Sequence, residues 1–175
     1  NVPESKTTGA SRQAPRWACN ATESSMPAIH TRRLTVGHDA IDVHQHVNNQ
    51  EYLRWMQEVA IEHSTAQGWP MARYLETGSS WYVKSHFIDY LRPALLGDEI
   101  LIVTWVSGMN NRSSPRQTLI LRESDRQILA RAETQWIFVN LRNGRPVAIP
   151  TELRTAFDLV ETEADALARL EACLA

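Results

Sequence analysis

Apolar positions follow a helical period in one stretch of the chain and a strand period in most of the rest. Tyr52, Trp55, Met56, Val59, Ala60 and His63 fall on a single face at 3.6-residue spacing. The start of this helix is marked by Asn48, a favoured N-cap, with Glu51 three residues on in a capping-box pattern. Gly68 and Pro70 stop it near Gln67. The predicted helix is therefore about five turns long. Arg54 and Glu58 are spaced to pair on its polar flank.

Around this helix the pattern changes to strands. Residues 28–36 carry apolar points at Ile29, Leu34 and Val36. Residues 81–91 alternate over a long span rich in aromatic and β-branched side chains, and end at Pro93 and Gly97-Asp98. Residues 100–106 are almost continuously apolar, as expected of a strand buried on both faces or at a subunit contact. Residues 117–122 and 128–140 read as two further strands, joined by a turn at residues 124–126. Asn143-Gly144 marks another turn, and residues 147–149 a short strand end. By composition, residues 71–80 are a mixed connection and residues 107–115 a flexible loop. Pro150-Thr151 opens a short helical turn through Phe157, and residues 163–174 form a terminal helix with Leu167, Leu170 and Leu174 on one stripe, on the surface or against a partner. One strand, one long apolar helix and then about four long strands make an α+β chain. A helix so apolar needs an antiparallel sheet of five or six strands wrapped around it.

Composition narrows the function classes. A length of 175 residues argues for one domain, and a hydrophobic share of 43% with six Trp is enough for a packed core. A net charge of −2, with no block of like charges, argues against a nucleic-acid partner. Cys19 and Cys173 lie near opposite ends, so neither a disulfide framework nor a Cys-x-x-Cys metal site is expected, and a reducing, cytoplasmic compartment fits. No apolar run approaches the ~20 residues of a membrane helix. Residues 1–25 lack the apolar core of a secretory signal and read as a mobile tail or leader. The folded domain is expected over residues 26–158, with residues 159–175 as an appended C-terminal helix.

The chemistry gathers just ahead of the long helix. Asp42, His44, His46, Asn48 and Asn49 crowd into eight residues. The first N–H groups of a helix have no intrahelical partner, and the dipole is positive there. They can hold a carbonyl oxygen that is becoming an oxyanion. Asn49 stands at that position, and Asp42, seven residues upstream, lies on the turn leading in. A carboxylate there can act as general base for water or as nucleophile. The arrangement spells acyl transfer to water with no metal or other cofactor.

The stretch Asp42-x-His44-x-His46-Val47-Asn48-Asn49-x-x-Tyr52-x-x-Trp55 resembles the active-site segment of hotdog-fold thioesterases, of the 4-hydroxybenzoyl-CoA-thioesterase-like and acyl-acyl carrier protein thioesterase types. Ile88-Asp89-Tyr90-Leu91-Arg92-Pro93-Ala94 with Gly97-Asp98 is similar to a second signature of the same group, and so is Gly144-x-Pro146 with Ile149-Pro150. The resemblance spans roughly residues 28–157. It implies a single hotdog domain, a homodimer or homotetramer with active sites at the subunit interface, and hydrolysis of an acyl thioester in fatty acid metabolism. It assigns Asp42 as the acid, the Asn49 backbone N–H as oxyanion donor and His46 as the group that orients substrate or Asp42. The chain differs from the plant acyl-acyl carrier protein enzymes at His44, where they carry Asn, and at Pro93-Ala94, where they carry Glu-Cys. Those differences favour the single-domain bacterial type acting on acyl-CoA over an acyl-carrier-protein substrate.

For the substrate, the expected acyl surface runs along Tyr52, Trp55, Val59 and Trp81. Arg112 and Arg116, flanking the 107–115 loop, are the candidate cations for the coenzyme A phosphates. Glu58 is a second candidate acid, with pairing to Arg54 as its structural role. Three competing readings carry specific signals. His44-x-His46-x4-Glu51 has the spacing of a cupin metal motif, but cupin ligands belong on strands and Glu51 falls in a capped helix. A hotdog hydratase would have Gly before the acid and Asn-Pro after it, where this chain has Ile41 and no Pro. A non-catalytic acyl-thioester-binding protein would bind its ligand without releasing thiol.

Overall fold

The computed structural model describes residues 28–174. The expected N-terminal tail and Cys19 lie outside the described residues. Strand β1 (Ile29–Thr35) leads through a single 3-10 turn into helix α1 (Asn49–Ala66). A short helix α2 (Met71–Thr77) follows, then strands β2 (Ser79–Tyr90), β3 (Glu99–Val106), β4 (Ser113–Arg122) and β5 (Ile128–Asn140), and finally helices α3 (Thr151–Thr155) and α4 (Glu163–Leu174). The five strands form one sheet in the order β1-β3-β4-β5-β2, antiparallel throughout. Helix α1 packs against β3 and β1. This is the helix-in-sheet hotdog architecture that the resemblance implies.

The buried face of α1 is the one the periodicity picks out: Tyr52, Trp55, Met56, Val59, Ala60 and His63. Tyr52, Trp55 and Val59 meet Ile100, Ile102, Ile120 and Ala130 from the sheet. Each large apolar side chain so buried contributes about 1.5–3 kcal/mol. Asn48 caps the helix, its Oδ1 accepting from Gln50 N–H at 2.9 Å. The capping box does not close, because the Glu51 carboxylate turns outward to Arg54. Gly68 ends the helix region with φ +81°, a left-handed conformation that a residue with a Cβ adopts at a cost.

Strand β3 is buried from Ile100 to Val106, and both of its covers come from this chain. Ile100 and Ile102 face α1, while Leu101, Val103 and Trp105 face Val160, Ala166 and Leu170 around α4. The terminal helix therefore seals the outer face of the sheet. Its buried residues are Ala166 and Leu170, with Leu167 packed beside them and Leu174 exposed, which corrects the expected leucine stripe.

Three further expectations change. Residues 71–77 form α2, tied to the core by buried Tyr74 and closed by Gly78 at φ +68°. Strand β4 begins at Ser113, so Ser113 to Arg116 belong to the sheet and not to a flexible loop. Pro115 fits there because its carbonyl still accepts Ser107 N–H at 3.0 Å. Residues 147–149 form no strand; a lone bridge joins Val139 and Pro146.

Candidate active site

Residues 41–47 fold back on themselves before entering α1. Ile41 bridges Val47, Asp42 N–H donates to His46 O at 2.9 Å, and Gln45 N–H donates to Asp42 O at 3.1 Å with Gln45 at φ +64°. The turn is pinned to the body at two points. Asn48 N–H donates to Ala40 O at 2.8 Å, and Val47 N–H to Ala94 O at 2.9 Å. Ala94 N–H in turn donates to the buried hydroxyl of Tyr52 at 3.2 Å. The Pro93-Ala94 segment and the first turn of α1 thus fix where the loop sits.

Asp42 is oriented by this fold. Its Oδ1 accepts from His44 N–H at 2.8 Å, an Asx-type turn. Its Oδ2 lies 3.9 Å from His46 Nδ1, and its side chain is 21% exposed. His46 Nδ1 also faces Val47 O at 3.3 Å, and the His44 ring stacks on His46 with centroids 5.8 Å apart. One carboxylate oxygen is thus held by backbone and the other is available beside an imidazole.

The N-terminus of α1 has one conspicuous donor. Gln50 N–H is taken by Asn48 Oδ1 and Glu51 N–H by Asn48 O at 2.9 Å. Asn49 N–H makes no hydrogen bond among the described residues. At the other end of the same residue, Asn49 O accepts from the Tyr90 hydroxyl at 3.3 Å, and Tyr90 stands edge-on to Tyr52. Partial desolvation raises the Tyr90 hydroxyl above its ordinary pKa. A donor at the positive end of a helix, on the same turn as an oriented carboxylate, can polarise a carbonyl for attack.

A largely apolar cavity lies elsewhere in the chain. It has a volume of about 440 Å³ and runs under β2 at Ser80–Val83, between α1, α2, β4 and Phe157. Its α1 wall begins at Gln57, eight residues beyond Asn49 and so about 12 Å along the axis. Its wall is braced by a relay: Trp81 Nε1–H donates to Tyr74 Oη at 3.1 Å, Tyr74 and Ser64 hydroxyls meet at 2.8 Å, and Ser64 donates to Trp69 O at 2.8 Å. Burial raises the Tyr74 pKa, which keeps that hydroxyl protonated.

The expected substrate residues separate accordingly. Trp81 and Arg116 line the cavity. Tyr52 and Trp55 do not; each is 2% exposed and spent in the core, because α1 turns that face to the sheet. Glu58 sits away from the cavity, bridging Arg32 of β1 and Arg54, the latter at 3.1 Å. Arg112 is exposed just before β4, at the end of the sheet away from the Asp42 turn. Arg116 is inside the protein and not on a loop. Its position in β4 buries it against His63, beyond the reach of a phosphate in solvent. The sequence reading missed Arg92 and Arg126, which share a shallow cleft with Arg131 near the Pro93-Ala94 segment. Only contact across the sheet reveals that grouping. Glu51 of the metal-motif spacing is held by Arg54 on α1, and among the described residues no three His, Cys, Asp or Glu side chains gather at metal-binding geometry. No helix among the described residues is long and apolar enough to cross a membrane.

Comparison with known proteins follows the same lines. The family model described as "Thioesterase-like superfamily" matches residues 36–157. The long-chain acyl-CoA thioesterase FadM of Escherichia coli (strain K12) is 30% identical over 117 residues, covering 65% of this chain and 86% of FadM. Among solved structures, the probable thioesterase YbaW from Escherichia coli aligns with a TM-score of 0.63 at 27% identity, over 73% of this chain and 95% of that one. A 1,4-dihydroxy-2-naphthoyl-CoA thioesterase from Synechocystis shares the fold with a TM-score of 0.68 at 19% identity, over 73% and 94% of the two chains.

Proposed function

The chain belongs to the thioesterase-like superfamily, and from that premise we propose that it hydrolyses acyl-CoA thioesters, water and thioester giving free acid and coenzyme A thiol. The observation that carries this reading is the oriented Asp42 carboxylate on the turn that leads into α1, where Asn49 N–H makes no hydrogen bond among the described residues. The thioester carbonyl oxygen accepts from Asn49 N–H at the positive end of α1, which stabilises the charge that develops on attack. Asp42 either draws a proton from the attacking water or attacks the carbonyl itself. His46, beside Asp42 Oδ2, orients the carboxylate or the substrate. Arg92 and Arg126, close to the turn, and Arg112, brought in from a second copy, are the cations for the coenzyme A phosphates.

The site is complete only in a dimer. Among the described residues, strand β2 is an edge of the sheet twelve residues long, with no strand on its outer side, and it exposes Tyr82, Phe87 and Tyr90, with Phe87 at 67%. Such an edge invites pairing with another strand. Two copies related by a two-fold axis would join their β2 strands antiparallel. Trp81 and Tyr90 are nine residues apart on β2, roughly 30 Å at strand spacing. Antiparallel pairing sets the Trp81 end of one copy beside the Tyr90 end of the other. The cavity of one copy then opens next to Asn49 and Asp42 of its partner, which resolves their separation within one chain. A homodimer, or a homotetramer built from it, is the working form.

The direct test is thiol release over a panel of acyl-CoA substrates, with the same acyl groups on acyl carrier protein in parallel. Turnover on acyl-CoA supports the proposal. Turnover on the carrier protein alone reassigns the carrier, and tight binding with no thiol release on either replaces the enzyme with a binding protein.

A further inference from the structure

The cavity holds a charge that the reaction does not use. Arg116 on β4 is 6% exposed and, among the described residues, is the one charged residue on the cavity wall. Its Nη1 donates to His63 Nδ1 at 3.0 Å and to Thr104 Oγ1 at 3.2 Å. Both partners are neutral. Arginine has no acceptor, so the His63 nitrogen facing it is the unprotonated one. Thr104 passes its own proton to Gln117 O at 2.8 Å and receives Thr118 Oγ1 at 3.3 Å. The guanidinium carbon lies 5.9 Å from the centroid of the Phe157 ring.

Nη1 is thereby fully used. A guanidinium has five N–H donors, and the remaining ones, on Nε and Nη2, make no hydrogen bond among the described residues. No carboxylate among the described residues pairs with Arg116. Burial alone lowers its pKa to about 10, so it remains charged at neutral pH. A buried guanidinium without a counter-ion is costly, and the cost is relieved by an anion that reaches its open edge. The hydroxyls of Ser64 and Ser114 donate to main-chain carbonyls, and Trp81, Val106, Met109 and Phe157 are the apolar surface around them.

We propose that the cavity selects acyl groups ending in a carboxylate, the half-thioesters of dicarboxylic acids, and that Arg116 is the residue that recognises the distal carboxylate. The carbon chain lies on the apolar wall and its far oxygens meet Nε and Nη2 in the paired geometry a guanidinium offers. Thr104 and His63 are positioning residues that hold the guanidinium flat. The inference rests on the proposed thioester hydrolysis for its substrate, but the anion site itself stands on the cavity alone.

The test compares kcat/KM for ω-carboxyacyl-CoA and unsubstituted acyl-CoA of equal carbon number, from short to long chains. A charge-assisted pair at a buried guanidinium predicts that wild type prefers the ω-carboxyacyl substrate by about tenfold to a hundredfold at its best length. In Arg116→Met that ratio falls to one or below, and Arg116→Lys retains part of it. Thermal shift with free dicarboxylic and monocarboxylic acids runs beside it. Wild-type protein with no preference for the carboxylate at any length, in turnover or in thermal shift, overturns the inference, and so does a preference that survives in Arg116→Met. If Arg116→Met does not fold, the wild-type ratio and the lysine variant decide. Stabilisation by dicarboxylic acids without any thioester turnover keeps the anion site and removes the hydrolase. Turnover that ignores the distal carboxylate does the reverse.

Discussion

At the scale of single residues, the account rests on Asp42 and the cap beside it. A general base or nucleophile contributes about a hundredfold to ten-thousandfold. Asp42→Asn is therefore expected to lower kcat/KM by at least about a hundredfold while circular dichroism and the melting temperature stay near wild type, since His44 N–H can still bond the amide oxygen. Asn48 has a different role. Its side chain occupies Gln50 N–H, and Asn48→Ala is expected to cost about 1 kcal/mol in chemical denaturation, with Asn48→Asp restoring most of it. These residues are legible in the sequence because their relations are local: a cap, a turn and a helix start lie within eight positions. Arg116 is not legible. Its neighbours in sequence are Ser113, Ser114 and Pro115, a loop-like composition, while its partners His63 and Thr104 come from α1 and β3. Tyr52 and Trp55 mislead in the opposite sense. Periodicity places them on the apolar face correctly, but it does not tell a core-facing side chain from a cavity-facing one.

At the scale of elements, periods and stops locate α1 and the long strands closely, since each carries a sustained pattern over many residues. Short elements are harder. Helix α2 has seven residues and only one buried side chain, Tyr74, so its helical period has too few points to show. The terminal helix shows its amphipathic face in sequence but not what that face covers. The structure places Ala166 and Leu170 over Leu101, Val103 and Trp105 of β3. Arg131 reinforces the same corner, its Nε donating to Glu163 at 2.9 Å. Leu170→Ala is expected to destabilise the chain by about 2–5 kcal/mol, as for other buried leucines, measured by urea unfolding. A loss below 0.5 kcal/mol would mean that α4 does not hold the sheet. Activity of the folded fraction is expected to be unaffected, because α4 touches neither the cavity nor the Asp42 turn.

At the scale of the whole molecule, the open question is how an acid and a cavity that lie apart in one chain serve one substrate. The unpaired β2 edge is the answer proposed: two-fold pairing brings the Asp42 turn of one copy to the cavity of the other. The family resemblance implies a site at a subunit interface, but the pattern of residues does not say which strand forms it. The sequence shows a long aromatic strand, and only the sheet order makes it an edge. The measurement that tests the account most directly is complementation between two impaired variants. Asp42→Asn removes the acid, and Ile61→Trp, at the exposed rim of the cavity on α1, obstructs the acyl path. Each variant alone is expected to hydrolyse acyl-CoA poorly. Co-expressed, half of randomly assembled dimers are mixed and each mixed dimer has one intact site, so activity is expected to return to about a quarter of wild type. Recovery to that level places the acid and the cavity on different copies. Mixed protein no more active than its parents, with dimer exchange verified by mass, contradicts the shared site.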